Sequence, residues 1–291
     1  MTTNEQPSRV SRTLGSQHKR LADELRAAGL SPHEAELLLS MRLGLPRHRL
    51  YLDAKREVPP DIAAVLESDL RRRLSGEPLQ LVLGSVGFRG LELSVRPGVF
   101  IPRPETEVLV EQAVELASRT PGALLDLCCG SGAIACALAA ELPTRRVVAV
   151  DASPAACELT RDNARRLGLA ERIGVVRAGL AEALAGPFAL IACNPPYIPS
   201  GDLRTLPAEV RDHDPAAALD GGPDGLSCYR RLAPELTRLL LPGGPAVLEI
   251  GEEQGEAVRG IFENTPGLER VEIQPDLTGR DRVAIARRAV D

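Results

Sequence analysis

Aromatic residues are scarce in this chain of 291 residues, which has no tryptophan, three tyrosines and four phenylalanines. Its hydrophobic fraction is nevertheless 44%. The core must therefore be built from leucine, valine, alanine and isoleucine, and an aromatic residue within a motif calls for an explanation other than core filling. The length is sufficient for one large domain, or for a medium-sized domain with a small one.

The cysteines and histidines lack the patterns of a disulfide framework or a zinc site. No Cys-x-x-Cys pair occurs among the six cysteines, and several of them lie in apolar segments. Such cysteines are typical of buried thiols in a reducing compartment. The four histidines are scattered, so no metal is expected. Without a membrane-length apolar run or a signal-peptide pattern, the sequence predicts a cytoplasmic protein that does not contact a membrane.

The chain also lacks the strong positive charge of a general nucleic-acid-binding protein. Residues 1–80 carry 13 basic and 11 acidic side chains, and the remaining residues carry 22 and 29. Proteins that bind the phosphate backbone are usually strongly basic. We therefore expect no direct contact with nucleic acid, and we expect a monomer.

The pattern of hydrophobic residues divides the chain into three parts. Residues 1–80 contain amphipathic helical segments, which predict a small helical bundle, and about the first 15 residues are polar and predicted to be disordered. Over residues 81–103, apolar and polar residues alternate and glycines are interspersed, which predicts a β-hairpin linker. Residues 104–291 form the larger domain.

The larger domain is predicted to have an α/β fold. From about residue 122, apolar strand segments alternate with helical segments, which indicates a mostly parallel sheet with helices on both faces. The last two strand candidates are separated only by a turn. They predict an antiparallel hairpin at the edge of the sheet.

A glycine loop follows the first strand of this sheet. Gly130 and Gly132 allow the backbone to turn tightly into a helix and to approach a ligand closely. The third glycine of the dinucleotide pattern is replaced by Ala135, which disfavours a pyrophosphate site. Alone, two glycines could also serve only for packing.

Two acidic residues accompany the loop. Asp151 ends the second strand, 25 residues after Asp126. A carboxylate at this place can accept hydrogen bonds from both hydroxyls of a ribose, or it could only cap the helix that begins at Ser153. Asp126 could hold the amides of the loop or approach the ammonium group of a ligand.

The fourth strand ends in the sequence Asn-Pro-Pro-Tyr. Pro195 and Pro196 have no N–H and keep the preceding residues extended. The side-chain oxygen of Asn194 and the carbonyl of Pro195 can then accept hydrogen bonds, and Tyr197 offers a flat face. Such a site suits a planar NH₂ group, whereas the alternative interpretation is a rigid turn without chemistry.

Six segments together resemble the release-factor glutamine methyltransferases (PrmC/HemK type), a family of class I S-adenosylmethionine-dependent enzymes with a Rossmann-like fold. They are GVFIPRPETE (98–107), LDLCCGSGAIA (125–135), VAVDAS (148–153), CNPPYIP (193–199), LDGGPDGLSCYRRL (219–232) and LEIGEEQGEAV (248–258). The NPPY motif is shared with nucleic-acid amino-methyltransferases. The IPRPETE and DGGPDGL segments narrow the resemblance to the glutamine enzymes.

The resemblance implies methyl transfer from S-adenosylmethionine to N5 of the glutamine in the Gly-Gly-Gln motif of class I peptide-chain release factors, a step that serves translation termination. The implied cofactor-binding residues are Cys128, Cys129, Gly130, Ser131, Gly132, Asp151, Leu180 and Asn194, to which the position of Asp126 beside the loop adds that residue as a candidate. The implied substrate-binding residues are Phe100, Asn194, Pro195, Pro196 and Tyr197, of which Asn194, Pro195 and Tyr197 are the implied catalytic residues. The helical domain over residues 1–80 is implied to dock the protein substrate.

The chain departs from the family pattern at two places. Cys128 and Cys129 replace the first two residues of a loop that usually reads Gly-Thr-Gly-Ser-Gly, so that Cys128 carries a Cβ atom where the family often has none. Gly179 stands where an acid usually precedes Leu180. A contact with the adenine amino group is then absent or made by the backbone.

Three alternatives compete with glutamine methylation of a release factor. A nucleic-acid amino-methyltransferase would share the pocket, but it would need a basic track and a domain that recognises its target. A glutamine methyltransferase for a ribosomal protein is less well separated by sequence. A non-catalytic binding protein is favoured only if the cysteine-containing loop does not bind the cofactor.

Overall fold

The structure is a computed structural model, and it describes residues 12–181 and 184–290. The predicted disorder of the N-terminus falls mainly on residues 1–11, which lie outside the described residues. The chain divides into two compact units, Met1–Leu83 and Gly84–Asp291. Over the described part of the chain, every helix is too short or too polar to cross a lipid bilayer.

The first unit is helical. Its helices are α1 (Leu14–Ala27), α2 (Glu34–Leu43), α3 (Arg47–Leu52), α4 (Pro60–Leu74) and α5 (Leu79–Leu83). Leucine side chains from these helices form its core. The Arg42 guanidinium donates to the buried Asp69 carboxylate at 2.6 Å, so the unit contains a paired charge in its interior.

The prediction of a strand from residue 81 was wrong for the first three residues. Leu81 and Val82 belong to α5, and both are buried. Arg42 donates to the Val82 carbonyl at 2.8 Å, and Arg72 donates to the Leu81 carbonyl at 3.1 Å. Arginine side chains thus satisfy the carbonyls that a short helix leaves open, so tertiary contacts outweigh the local alternating pattern.

The second unit begins with an antiparallel hairpin and continues as an α/β sheet. Its elements are β1 (Ser85–Phe88), β2 (Leu91–Ser94), α6 (Thr106–Ala117), β3 (Leu124–Leu127), α7 (Ala133–Glu141), β4 (Val147–Asp151), α8 (Pro154–Arg166), β5 (Ile173–Arg177), β6 (Leu190–Cys193), α9 (Ala208–Arg211), α10 (Ser227–Leu239), β7 (Pro245–Glu249), α11 (Gly255–Glu263), β8 (Leu268–Pro275) and β9 (Asp281–Arg288). The hairpin β1–β2 therefore lies within the second unit.

The sheet contains seven strands within the described residues, in the order β5-β4-β3-β6-β7-β9-β8. The first five in this order are parallel, and β9 pairs antiparallel with both β7 and β8. Apolar clusters cover both faces. The predicted α/β fold with an antiparallel C-terminal hairpin is confirmed.

The register of the parallel strands determines which residues meet at the carboxyl edge. Leu127 pairs with Cys193, and Cys193 pairs with Leu248. The next residues, Cys128 and Asn194 just beyond their strands and Glu249 at the end of β7, therefore lie side by side. The chain passes from β3 to β4 on one side, whereas β6 lies on the other, and a switch of this kind opens a crevice for ligands at this edge.

Candidate active site

One cavity of about 660 Å³ lies at the carboxyl edge of the parallel strands. This volume is within the usual range for a site that holds a small molecule. The predicted site residues that line it are Phe100, Cys128, Cys129, Gly130, Ser131, Asp151, Leu180, Asn194, Pro195, Pro196 and Tyr197. Asp126 and Gly132 are predicted site residues that do not line it.

Asp151 is held at the rim of the cavity by two backbone donors. Its Oδ2 accepts from the Gly130 N–H at 2.9 Å, and its Oδ1 accepts from the Ser153 N–H at 2.8 Å. Ser153 is itself the N-cap of α8 and accepts from the Ala156 N–H. The carboxylate therefore has a fixed orientation with lone pairs left for a ligand. Its contact with Ser153 does not exclude ribose binding.

Side chains of α8 hold the glycine loop by hydrogen bonds to its carbonyls. Thr160 Oγ1 donates to the Gly130 carbonyl at 3.0 Å, and Asn163 Nδ2 donates to the Ser131 carbonyl at 2.9 Å. Gly132 has a φ of +80°, and a Cβ there would lie 2.7 Å from Thr160 Cγ2. Gly132 thus permits close packing between the loop and α8, while its neighbours face the cavity.

Asp126 lies beneath the loop rather than in the cavity, and its side chain is fully buried. Its Oδ2 accepts from the Ala135 N–H at 2.9 Å, which holds the first turn of α7. Its Oδ1 has no hydrogen-bond partner among the described residues. Burial raises the pKa of this carboxyl well above its usual value. Asp126 therefore holds the helix that follows the loop, and its carboxylate accepts from no amide of the loop within the described residues.

The Asn-Pro-Pro-Tyr segment forms one wall of the cavity. Asn194 Nδ2 donates to Thr106 Oγ1 at 3.1 Å, and no described residue donates to Asn194 Oδ1. The Tyr197 hydroxyl donates to Glu249 Oε1 at 3.3 Å. Burial and the nearby Glu249 carboxylate raise the pKa of Tyr197, so its ring is held as a neutral wall.

The DGGPDGL segment supports this wall from behind. The Ile198 N–H donates to the Leu219 carbonyl at 2.9 Å, and the Gly221 N–H donates to the Ile198 carbonyl at 2.8 Å. Gln254 Nε2 donates to the Tyr197 carbonyl at 2.8 Å. The chain after the two prolines is thus held on both sides as an extended segment.

The IPRPETE segment closes another side of the cavity. The Arg103 guanidinium lies 5.2 Å from the centre of the Phe100 ring and pairs with Asp214. Asp214 Oδ1 also accepts from the Ile101 N–H at 3.1 Å. Burial raises the pKa of Asp214, and the Arg103 guanidinium lowers it. The pair thus sets a buried carboxyl beside a half-buried guanidinium.

Four residues of the site have no predicted role from the sequence: Thr106, Asp214, Glu249 and Gln254. Thr106 and Glu249 are almost fully buried. Thr106 belongs to IPRPETE, and Glu249 ends an otherwise apolar strand in LEIG. A single acid at the end of a buried strand beside Asn-Pro-Pro-Tyr is a signal that could have identified Glu249.

Family comparisons divide the chain near the boundary of the two units. Residues 18–84 match the PrmC N-terminal domain, and residues 91–207 match the methyltransferase small domain. The hMettl16 catalytic domain, solved in complex with the MAT2A 3′UTR hairpin 6, is similar in fold with a TM-score of 0.57. Its sequence is 15% identical, and the match covers 80% of this chain and 82% of the hMettl16 chain. A methyltransferase from Pyrococcus furiosus has a TM-score of 0.51 at 17% identity, over 69% of this chain and 90% of that chain.

Sequence comparison identifies the family of the chain more specifically than the similarity of fold does. A release factor glutamine methyltransferase from Moorella thermoacetica is 42% identical over 88% of this chain and 90% of its own length. One from Geobacter sulfurreducens is 44% identical over 87% of this chain and 88% of its own length. The chain therefore belongs to the release factor glutamine methyltransferase family.

Proposed function

We propose that this protein transfers a methyl group from S-adenosylmethionine to N5 of the glutamine side chain in the Gly-Gly-Gln motif of class I release factors. The observation that carries the proposal is a single cavity lined by Asp151, the glycine loop and Asn194, whose amide oxygen accepts from no described residue. Membership of the family supports glutamine as the methylated group. A ribosomal protein as the substrate, or a nucleic-acid base, has no comparable support.

The cavity has the groups that the cofactor needs. Asp151 can accept from the ribose hydroxyls, and the loop Cys128–Gly132 can receive the amino-acid part against its backbone. Leu180 provides an apolar wall, and Gly179 beside it leaves open space, with no atom within 4 Å of where a Cβ would stand. When bound, S-adenosylmethionine supplies a methyl group carried on a positively charged sulfur.

The residues of the chain act on the glutamine amide by position rather than by deprotonation. An amide nitrogen is a poor nucleophile because its lone pair is delocalised, as the rotation barrier of roughly 18–20 kcal/mol reflects. The Asn194 Oδ1 and the Pro195 carbonyl would accept the two N–H bonds, and Tyr197 would bound the face of the amide. Alignment of this kind lowers barriers by about 7–11 kcal/mol in model reactions. The same acceptors stabilise positive charge on the nitrogen, and the proton leaves to water.

We further propose that the helical unit docks the protein substrate and that the protein acts as a cytoplasmic monomer without direct contact to nucleic acid. The match of residues 18–84 to the PrmC N-terminal domain supports docking. The excess of acidic over basic side chains beyond residue 80 supports a protein substrate rather than a nucleic acid.

Methyl transfer from labelled S-adenosylmethionine tests the proposed function. Purified release factor, its Gln→Ala variant, a ribosomal protein and DNA are offered in parallel, and we expect label on the unmodified release factor alone. Asn194→Ala serves as the control, with transfer reduced by roughly 100-fold or more and cofactor binding weakened but still measurable. Label on the ribosomal protein or DNA, with none on the release factor, would overturn the proposed function.

A further inference from the structure

A chain of hydrogen bonds, the Asn194–Thr106–Glu249 relay, leads from the cavity wall to a buried carboxylate. Asn194 Nδ2 donates to Thr106 Oγ1 at 3.1 Å, and Thr106 Oγ1 donates to Glu249 Oε2 at 2.6 Å. Thr106 is 4% exposed and Glu249 is 1% exposed. The three residues come from the start of α6, the end of β6 and the end of β7, so only the fold brings them together.

The relay has a direction that chemistry imposes. An ionised carboxylate can only accept hydrogen bonds, and a threonine hydroxyl has a single proton. Because that proton points to Glu249, the hydroxyl can only accept from Asn194. The amide must therefore turn its NH₂ group to Thr106 and its Oδ1 away from it, toward the cavity.

The opposite orientation of the amide would disable the site. A carboxamide rotated by 180° would present its NH₂ group to the NH₂ group of the glutamine substrate, so that two donors would face each other. The atoms O and N of an amide have nearly the same shape, and packing alone distinguishes the two orientations poorly. A fixed hydrogen-bond polarity distinguishes them well.

The same residue also holds the tyrosine at the other end of the Asn-Pro-Pro-Tyr wall. Glu249 Oε1 accepts from the Tyr197 hydroxyl at 3.3 Å, and the backbone carbonyl of Glu249 accepts from the Tyr229 hydroxyl at 2.8 Å. One residue thus connects the amide that would accept the substrate N–H to the ring that would bound it.

We propose that Thr106 and Glu249 are positioning residues that fix the polarity of the Asn194 amide, an inference that rests on the proposed function of the cavity. Neither residue is given a role by the Asn-Pro-Pro-Tyr motif. They act through Asn194 and Tyr197 and do not carry out chemistry themselves.

Glu249 gives the relay its direction when its carboxyl is ionised. Burial raises the pKa of Glu249, whereas hydrogen bonds from Thr106 and Tyr197 and the positive charge of Arg282 lower it, and the charge of Glu105 opposes them. Among the described residues, the titratable and charged side chains that act on Glu249 are Tyr197, Arg282 and Glu105, and the Tyr229 hydroxyl contacts its backbone carbonyl. Protonation at Oε2 would let the Thr106 hydroxyl donate to Asn194 instead, so methyl transfer should weaken on acidification.

Three variants separate hydrogen-bond polarity from simple packing. Thr106→Ser keeps the hydroxyl and removes a methyl group, whereas Thr106→Val keeps the shape and removes the hydroxyl. Glu249→Gln keeps the shape and removes the charge. Thr265→Val is the matched control, because Thr265 follows α11 and its Oγ1 donates to the Ile261 carbonyl of that helix, and neither residue lines the cavity.

The experiment measures kcat and KM for methylation of the release factor, affinity for S-adenosylhomocysteine, and hydrogen exchange of the Asn194 side-chain NH₂ group by NMR. We expect Thr106→Val to lower kcat by roughly 10- to 100-fold, with cofactor affinity unchanged and faster exchange at Asn194. Thr106→Ser and Thr265→Val should stay within about threefold of the wild type for every quantity. Glu249→Gln should lower kcat less than Thr106→Val and should lose the acidic limb of the pH profile.

The outcomes are distinguishable from a failure of the proposed function. Normal kcat in Thr106→Val, or an equal loss in Thr106→Ser, would overturn the relay, because either result would show that the hydroxyl does not matter. An unchanged exchange rate at Asn194 in Thr106→Val would also overturn it. A different result is that the wild type fails to methylate release factor while the Asn194 NH₂ group still exchanges faster in Thr106→Val than in the wild type. In that case the proposed function fails and the relay stands.

Discussion

At the scale of single residues, Cys128 shows why the glycine loop has its usual composition. Its φ is +58°, in the left-handed region that costs a residue with a Cβ atom roughly 1–2 kcal/mol. The family pattern often has glycine there, where the cost is absent. The replacement of the usual glycine by Cys128 thus falls where the backbone turns out of β3.

This conformation predicts a reversed order of stability at two neighbouring cysteines. Cys128→Gly should be more stable than Cys128→Ala by about 1 kcal/mol, because alanine retains the strained Cβ. At Cys129, which is buried and has no positive φ, the alanine variant should be the more stable one by about 0.5–1 kcal/mol. Urea unfolding followed by circular dichroism measures both pairs. The same order at both positions would contradict the assignment of strain to Cys128.

At the scale of elements, the glycines of DGGPDGL serve close packing against the segment that follows the two prolines. A Cβ on Gly225 would lie 2.3 Å from the Tyr197 carbonyl oxygen and 2.6 Å from Gln254 Nε2, and its φ is +75°. The sequence motif that narrows the family resemblance is thus also the support of the Asn-Pro-Pro-Tyr wall.

Gly225→Ala should therefore disturb both stability and activity. We expect a loss of about 1–3 kcal/mol in the free energy of unfolding and a lower kcat, because the Tyr197 backbone must move. Gly201→Ala is the matched control, since no atom lies within 4 Å of the place where its Cβ would stand and an exposed substitution changes stability by no more than about 0.5 kcal/mol. Equal behaviour of the two variants would show that this contact does not support the wall.

Elements also show how far the pattern of residues could predict the fold. The strand–helix alternation after residue 122 predicted the parallel sheet, because long apolar strands and amphipathic helices have distinct periods. The pattern failed at Leu81–Leu83, whose short apolar run suits a strand or a helix equally. Contacts within the helical unit stabilise the helix there. Leu81 and Val82 are buried, and Arg42 and Arg72 donate to the Val82 and Leu81 carbonyls.

At the scale of the whole molecule, buried carboxyls govern how stability depends on pH. Burial raises the pKa of Asp126, Asp214 and Glu249, so the folded second unit binds protons more tightly than the unfolded chain. Their contribution to stability is complete below the unfolded pKa values and is lost as pH rises through the folded values. Carboxylates with lowered pKa, such as Asp224 at about 2, act only at more acidic pH.

The second unit should therefore become less stable as pH rises above the unfolded pKa values of these carboxyls. Hydrogen exchange with mass spectrometry measures this for peptides from β3 and β7, which report on the second unit separately from the helical one. Exchange that becomes slower as pH is raised, after correction for the intrinsic rate, would contradict the prediction. The expected change is opposite in sign to that of activity, which the relay requires to fall as Glu249 is protonated.

The sequence by itself determined the order of the elements, the glycine loop with Asp151, and the Asn-Pro-Pro-Tyr segment, because these depend on local periodicity and on residue types at fixed spacing. The tertiary structure decided which buried side chains contact these segments. Strand register places Glu249 beside Asn194, and the start of α6 inserts Thr106 between them. Residues 106, 194 and 249 are far apart in the chain, so no local pattern could reveal a hydrogen-bond polarity that arises only where three separate elements meet.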